Sequence, residues 1–326
     1  MRHDPIRRRL LFAAAAASLL PGPARADDWP SKPLRLFVAH APGTLPDVFA
    51  RRIADRLQQS LGQPVVVENR PGAGGTIGAT VFAKQPPDGY SIMLGTIAEL
   101  AVGPGFYDNL SYEPLKHFAP ITRLVESAAV LVVNPALGIR SFAELVAKAK
   151  ANPGTLSCGS FGNGTITHLM ALQLSRAAGV EIVHVPYKDA AAALTDVMGG
   201  QISMMFNWPT SIGTFVQSGR LVPVLATGTQ RVKSLPDVPS AVDVGMPQMV
   251  ILGWSGFIAP AGIPRSLLDR LNREIVRASQ TPEVKGQIEA AGSTLVVGTP
   301  EAFAAEIRAE MQRAAALVKA TGAKIQ

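Results

Sequence analysis

Short apolar runs alternate with amphipathic segments through the first hundred residues, and this alternation restricts the fold more than any other feature. Residues 34–39, Leu-Arg-Leu-Phe-Val-Ala, read as a strand. A turn over 42–47 follows. Phe49, Ile53, Leu57 and Leu61 then recur every four residues, which lays one apolar stripe along a helix. The run 64–68 is apolar without alternation, as in a strand covered on both faces. Residues 91–95 supply a third strand. Strand and helix alternating at this interval predict an α/β protein built of βαβ units around a mostly parallel sheet.

A second series begins at 130–134. Ser141 followed by Glu144 predicts a capped helix start. Residues 156–160 form a short strand that runs into the glycine-rich turn 159–165, and a helix follows with Ile166, Leu169, Met170 and Leu174 on one face. Further short strands are expected at 183–186, 202–206 and 222–226. From Trp254 the chain changes character. Residues 256–260 leave as a strand, and helices start at Pro264, at Thr281-Pro282-Glu283 and at Thr299-Pro300-Glu301. The last helix carries the stripe Phe303, Ile307, Met311, Val318. No flexible linker separates the two series. The expectation is therefore two domains, 27–127 plus 251–326 and 128–250, with the chain crossing between them twice.

The first 26 residues read as a segment apart. Arg2, Arg7, Arg8 and Arg9 precede an eleven-residue apolar run, and Ala24-Arg25-Ala26 gives the small-x-small cleavage pattern of a secretory signal. A bilayer span needs about 20 apolar residues, so the run is too short to be one. Arg7-Arg8-Arg9-Leu10-Leu11 leaves twin-arginine and general export both open. Cleavage after Ala26 would release a periplasmic protein. Residues 1–26 hold five of the 31 basic and one of the 24 acidic residues, so 26 basic against 23 acidic remain and the net charge falls from +7 to +3. That charge gives no basis for a nucleic-acid partner. Cys158 is the only cysteine, which excludes an intrachain disulfide and suggests a small buried side chain.

Two glycine-bearing turns open helices, one in each proposed domain: 42–47 and 159–165. A helix start offers unpaired N–H groups and the positive end of the dipole, and glycine lets a ligand approach the backbone. Neither turn contains Arg or Lys, which favours a carboxylate held by N–H groups and hydroxyls. An ordinary strand-to-helix turn is the alternative for each. Thr44 and Asp47 resemble a capping box with Asp in place of Glu. The run 69–78 imitates a dinucleotide fingerprint, but its spacing fails and a structural tight turn is expected; no cofactor is expected. Cys158-Gly159-Ser160-Phe161-Gly162 narrowly misses a nucleophile elbow, and no base stands beside Ser160 in sequence. The histidines show no metal-binding spacing.

These loops and several other stretches together resemble the Bug or TctC-type periplasmic solute-binding proteins of tripartite tricarboxylate transporters. The matching stretches include Trp29-Pro30-Ser31-Lys32-Pro33, Gln63-Pro64-Val65-Val66-Val67-Glu68-Asn69-Arg70-Pro71-Gly72-Ala73-Gly74-Gly75, Pro87-Asp88-Gly89-Tyr90, Val185-Pro186-Tyr187-Lys188, Leu235-Pro236-Asp237-Val238-Pro239 and Ala259-Pro260-Ala261-Gly262. The resemblance covers essentially all of 29–326. It implies a type II periplasmic-binding-protein arrangement, two α/β domains closing on a small carboxylate, no catalysis, and delivery by a monomer to membrane transporter subunits. By the family pattern the ligand residues are Gly43, Thr44, Asp47, Gly95, Thr96, Ser160, Gly162, Gly164, Thr165, His168 and Asn207. Thr44 stands where the family has a second glycine, and Asn207 where it often has Asp. Glu99 is unusual at its position. If it faces the cleft it disfavours a second ligand carboxylate; if it lies on the surface it does not. A hydrolase using Ser160, and a sensor presenting its ligand to a membrane kinase, are the alternatives.

Overall fold

The computed structural model describes residues 29–324. The expected export signal, 1–26, lies outside the described residues. Among the described residues, eleven strands form two sheets. The first series gives β1 (Leu34–Val38), α1 (Leu45–Leu61), β2 (Val65–Asn69), α2 (Thr76–Phe82), β3 (Ser91–Thr96) and β4 (Phe118–Ala128). Next come β5 (Val130–Val133), α3 (Phe142–Ala151), β6 (Ser157–Ser160), α4 (Ile166–Ala178), β7 (Val183–Pro186), α5 (Ala190–Gly199), β8 (Met204–Asn207), α6 (Pro209–Gln217) and β9 (Val222–Ala226). The chain ends with β10 (Leu252–Pro260), α7 (Arg265–Ser279), α8 (Pro282–Ala290), β11 (Thr294–Leu295) and α9 (Pro300–Thr321).

The six-stranded sheet runs β11-β4-β10-β3-β1-β2 and the five-stranded sheet β7-β6-β8-β5-β9. Only part of each is parallel. β1 is parallel to β2 and β3, and β6 to β7 and β8. β10 runs against β3 and β4, and β5 against β8 and β9. The expected mostly parallel sheet is therefore corrected to a mixed one in each half. The cause is β4, an eleven-residue strand that periodicity missed because Pro120, Thr122 and Arg123 interrupt its apolar run. β4 lies in the first sheet, and after Ala129 the chain enters the second as β5. β10 returns antiparallel beside it, with Leu252 opposite Ala128, so the two crossings lie side by side.

Alternation distributes each strand between two cores. Leu34, Leu36, Val38, Ile92 and Leu94 pack with Phe49, Ile53 and Leu57 of α1 and Leu271 and Ile275 of α7. Phe37 and Met93 face the other way, into a core that continues through Phe106 to Leu131, Val133 and Phe206 of the second sheet. The stripe of α9 closes that shared core with Phe303, Ile307 and Val318, each about 1% exposed or less, while Met311 is only partly buried against it. Truncating a buried Phe such as Phe303 to Ala costs about 3–5 kcal/mol. Val130, Val132 and Met205 enter a third core with Leu194, Val197 and Ile212. No helix among the described residues is long and apolar enough to cross a membrane.

Candidate functional site

In each sheet the parallel strands diverge in chain order around one strand, β1 in the first and β6 in the second, and ligands of open α/β sheets lie at the carboxyl ends of strands at such switch points. The predicted site residues lie at the carboxyl ends of β3, β6 and β8, in the turns after β1 and β6, and in the first turns of α1 and α4. The two sides touch. A Cβ placed on Gly74 would lie 3.7 Å from Thr165 Cγ2, and Tyr107 Oη donates to the Asn163 carbonyl at 3.3 Å while its ring covers Gly164.

The turn after β1 is organised by Asp47. Its Oδ2 accepts from Gly43 N at 2.9 Å and Arg51 Nε at 3.1 Å, and its Oδ1 from Asn69 Nδ2 at 2.8 Å. Burial opposes its charge, but these donors and Arg51 hold its pKa below the ordinary carboxylate value. Asp47 is therefore a buried clasp, and it takes up the N–H of Gly43 as well. The capping box also differs from expectation. Thr44 has the extended backbone of an N-cap, but its hydroxyl bonds Ala41 O at 2.7 Å and caps nothing. Ser141 does cap, accepting from Glu144 N at 3.2 Å.

Gly95 and Thr96 end β3 in the interior. Thr96 N and Oγ1 both donate to the Glu99 carboxylate, at 2.7 and 2.6 Å. Glu99 is 0% exposed, so the surface alternative is ruled out. Its Oε2 lies 3.5 Å from Nε2 of His40, two residues before the first glycine turn. Burial disfavours a charged imidazole there, yet the Glu99 charge outweighs it and raises the His40 pKa. Gly75 packs on the same carboxylate: a Cβ on it would lie 2.8 Å from Oε2, and its φ of +95° is one side chains rarely adopt. The 69–78 run is a tight turn as expected, and it lies at the meeting of the two halves.

The turn after β6 is neutral. Ser160 Oγ lies 2.6 Å from His184 Nε2, so the absence of a base beside Ser160 in sequence is corrected: β7 pairs with β6 and brings Cys158 opposite His184. Ser160 is 0% exposed. Thr165 caps α4, accepting from His168 N at 3.4 Å and donating to Gly162 O at 2.7 Å. Gly162 has φ +115°. His168 Nδ1 accepts from Gly164 N at 3.3 Å, and its ring is stacked between Phe106 and His184, with centroids 4.7 and 3.8 Å away. Burial first, then proximity to His184, pushes the His168 pKa down to about 4, and burial lowers that of His184. Asn207, at the end of β8, accepts from Trp208 N at 2.7 Å. Burial likewise pushes the Cys158 thiol up to about 12. Sequence reasoning missed His40, His184 and Tyr107 as site residues. His40 alone carried a local signal, its place between a strand and a glycine turn.

Two α/β lobes whose strand ends meet through glycine turns define the class of receptor that encloses a small solute. The profile of the TctC family, described as the tripartite tricarboxylate transporter family receptor, matches residues 49–323. Protein BugT of Bordetella pertussis is 35% identical over 317 residues, covering 97% of either chain. A solved structure titled R. palustris Rpa4515 with adipate superposes with a TM-score of 0.81 at 28% identity, covering 90% of this chain and 99% of that one. MatC of Rhodopseudomonas palustris, with bound malate, gives 0.79 at 26% identity, covering 89% of this chain and all of that one. The chain belongs to the TctC family and is a Bug/TctC-type receptor.

Proposed function

We propose that the protein is a periplasmic receptor that encloses a small carboxylate between its two lobes and delivers it to a tripartite tricarboxylate-type membrane transporter. The observation that carries this reading is the meeting of the glycine-bearing turns after β2 and β6, Gly74 against Thr165, in a family whose solved members include one with adipate and one with malate. The lobes would be 27–127 with 251–326 and 128–250, closing about the paired crossing strands β4 and β10. The signal-like 1–26 supports export. Within the site, the N–H of Asn163 and the side-chain amide Nδ2 of Asn207 are the donors suited to receive the ligand; Thr96, Thr165, Gly162 and Gly164 already donate within the protein and, with Asp47 and His168, shape the walls.

The 2.6 Å contact of Ser160 with His184 is the observation that favours the hydrolase alternative. Against it, Ser160 is fully buried, its Oγ also accepts from Gly162 N, and no carboxylate bonds His184 among the described residues, so the pair lacks the orienting acid of a triad. Calorimetry with adipate, malate, citrate and a neutral sugar tests the receptor reading. A carboxylate at about a hundred times its Kd stabilises the fold by about 2.7 kcal/mol, and the sugar does not. Failure of every carboxylate to bind, or ester turnover abolished by Ser160→Ala, would overturn it.

A further inference from the structure

We infer that His40 is the cationic anchor of the ligand site, its Nε2 edge fixed by Glu99 and Thr96 and its Nδ1 donating to a carboxylate of the bound solute. This deepens the receptor reading and rests on it. The glycine turns 42–47 and 159–165 contain no Arg or Lys, and Lys188, in the turn after β7, is exposed. The arginines beside the first turn are committed: Arg51 to Asp47 at 2.9 Å and Arg70 to Glu68 at 3.5 Å. His40 lies between the carboxyl end of β1 at Val38 and that turn, which starts at Pro42. Its carbonyl is pinned by Asn69 Nδ2 at 3.0 Å. Its Nε2 lies 3.3 Å from Thr96 Oγ1 and 3.5 Å from Glu99 Oε2. Nδ1 has no protein partner among the described residues and is not a buried orphan, so it is open to solvent. The side chain is 25% exposed while Glu99 is 0%.

Glu99 is then a positioning residue. A buried carboxylate needs a compensating charge, and the imidazolium supplies it without spending both of its donors. The geometry makes binding depend on one proton. Charged, the ring donates from both nitrogens. Once the ring is neutral, the remaining N–H stays with Glu99, and Nδ1 turns a lone pair toward the ligand carboxylate. Affinity should therefore fall as pH rises through the raised pKa of His40. Of the charged groups around it, Glu99 acts on the ring directly. Asp47 and Arg51 reach this segment through Asn69 and the Gly43 N–H and compensate each other. Tyr112, bonded to the Glu99 carbonyl, is kept neutral by burial.

The test is calorimetry of the exported protein with adipate, malate and butyrate from about pH 6 to about pH 9. Wild type should lose about ten- to hundredfold in affinity across this range, the worth of one charge-assisted hydrogen bond. His40→Gln should show that loss already at the acid end, with a flat profile. Glu99→Gln should move the falling limb to lower pH, which a merely structural role would not do. The His40 ring resonances should shift on ligand addition. Should Glu99→Gln not fold, the wild-type and His40→Gln profiles decide alone. Binding within about twofold of wild type in His40→Gln, with no slope in either protein, would overturn the His40 assignment and leave the receptor reading standing. No binding of any probe by wild type would overturn both.

Discussion

In the first lobe His40 lies 3.5 Å from a buried carboxylate and its pKa is raised; in the second, His168 and His184 stack at 3.8 Å and their pKa values are lowered. Burial acts on all three in the same direction, against the charged ring. The difference is the partner. Glu99 stands beside one, while the others have each other, Ser160 and the Phe106 ring. One half of the interface thus holds a compensated charge pair and the other an uncharged hydrogen-bonded stack, in a chain whose glycine turns look alike in sequence. A solute between them would meet a charged wall on one side and dipoles on the other.

The contrast is broken most directly by removing the central group of each half. Glu99→Ala strips Thr96 N, Thr96 Oγ1 and His40 of a shared acceptor in a site with no exposure, and should cost about 3 kcal/mol at neutral pH. Ser160→Ala removes a neutral hydroxyl and should cost about 1 kcal/mol. Urea denaturation of the two variants measures the difference. Equal losses would mean that the Glu99 pair is no more than another hydrogen bond.

The two halves should also respond to pH with opposite signs. His168 has a folded pKa of about 4 against an ordinary 6.5, so its stabilisation is present above about pH 6.5 and is lost as pH falls toward 4. At 5% exposure the shift corresponds to about 3 kcal/mol at most. His40 has a raised pKa, so its stabilisation is complete below about pH 6.5 and is lost as pH rises through the folded value. Asp47, with a lowered pKa, contributes stability that is present throughout this window and is lost only as pH falls below its ordinary 3.8. Denaturation curves collected across pH should show His168→Phe flattening the acid limb and His40→Gln flattening the alkaline one. A single limb common to both variants would show that the rings titrate as one system and that the contrast is false.

The strands that end at the cleft were legible as short runs leading into turns, 34–39 and 91–95 by their largely apolar residues and 156–160 by the glycine turn that follows it, and all three fall on observed strands. β4 was not, because Pro120 and the adjacent polar pairs Thr122-Arg123 and Glu126-Ser127 break its apolar run and give it no period of two. The helix starts at Thr299 and Ser141 were legible as caps, since each side chain accepts from the N–H three residues on. Thr44 and Asp47 satisfied the same pattern and failed it, because Asn69 and Arg51, far away or on the next turn, claim the aspartate. Of the site, the glycine turns were visible and the partners were not. Glu99 was seen as an anomaly without its counter-charge, and Ser160 without His184, because both contacts depend on strand pairing that joins distant stretches of chain.

The smallest expected effect concerns Thr44, the position where the family pattern has glycine. In the structure its φ is −72° and ψ 159°, an extended conformation that any residue adopts, so threonine brings no strain and glycine is not required. Its hydroxyl bonds Ala41 O and the residue is exposed. Thr44→Gly loses that exposed hydrogen bond and loosens the unfolded chain, which together should cost under about 1 kcal/mol. The consequence for binding separates the two halves again. If the anchoring charge lies at His40, the hydroxyl of Thr44 is dispensable and carboxylate affinity should change by less than about threefold. A loss larger than that, with the pH profile unchanged, would mean that the first turn grips the ligand through its own hydroxyl and backbone and that the two walls of the cleft are more alike than their histidines.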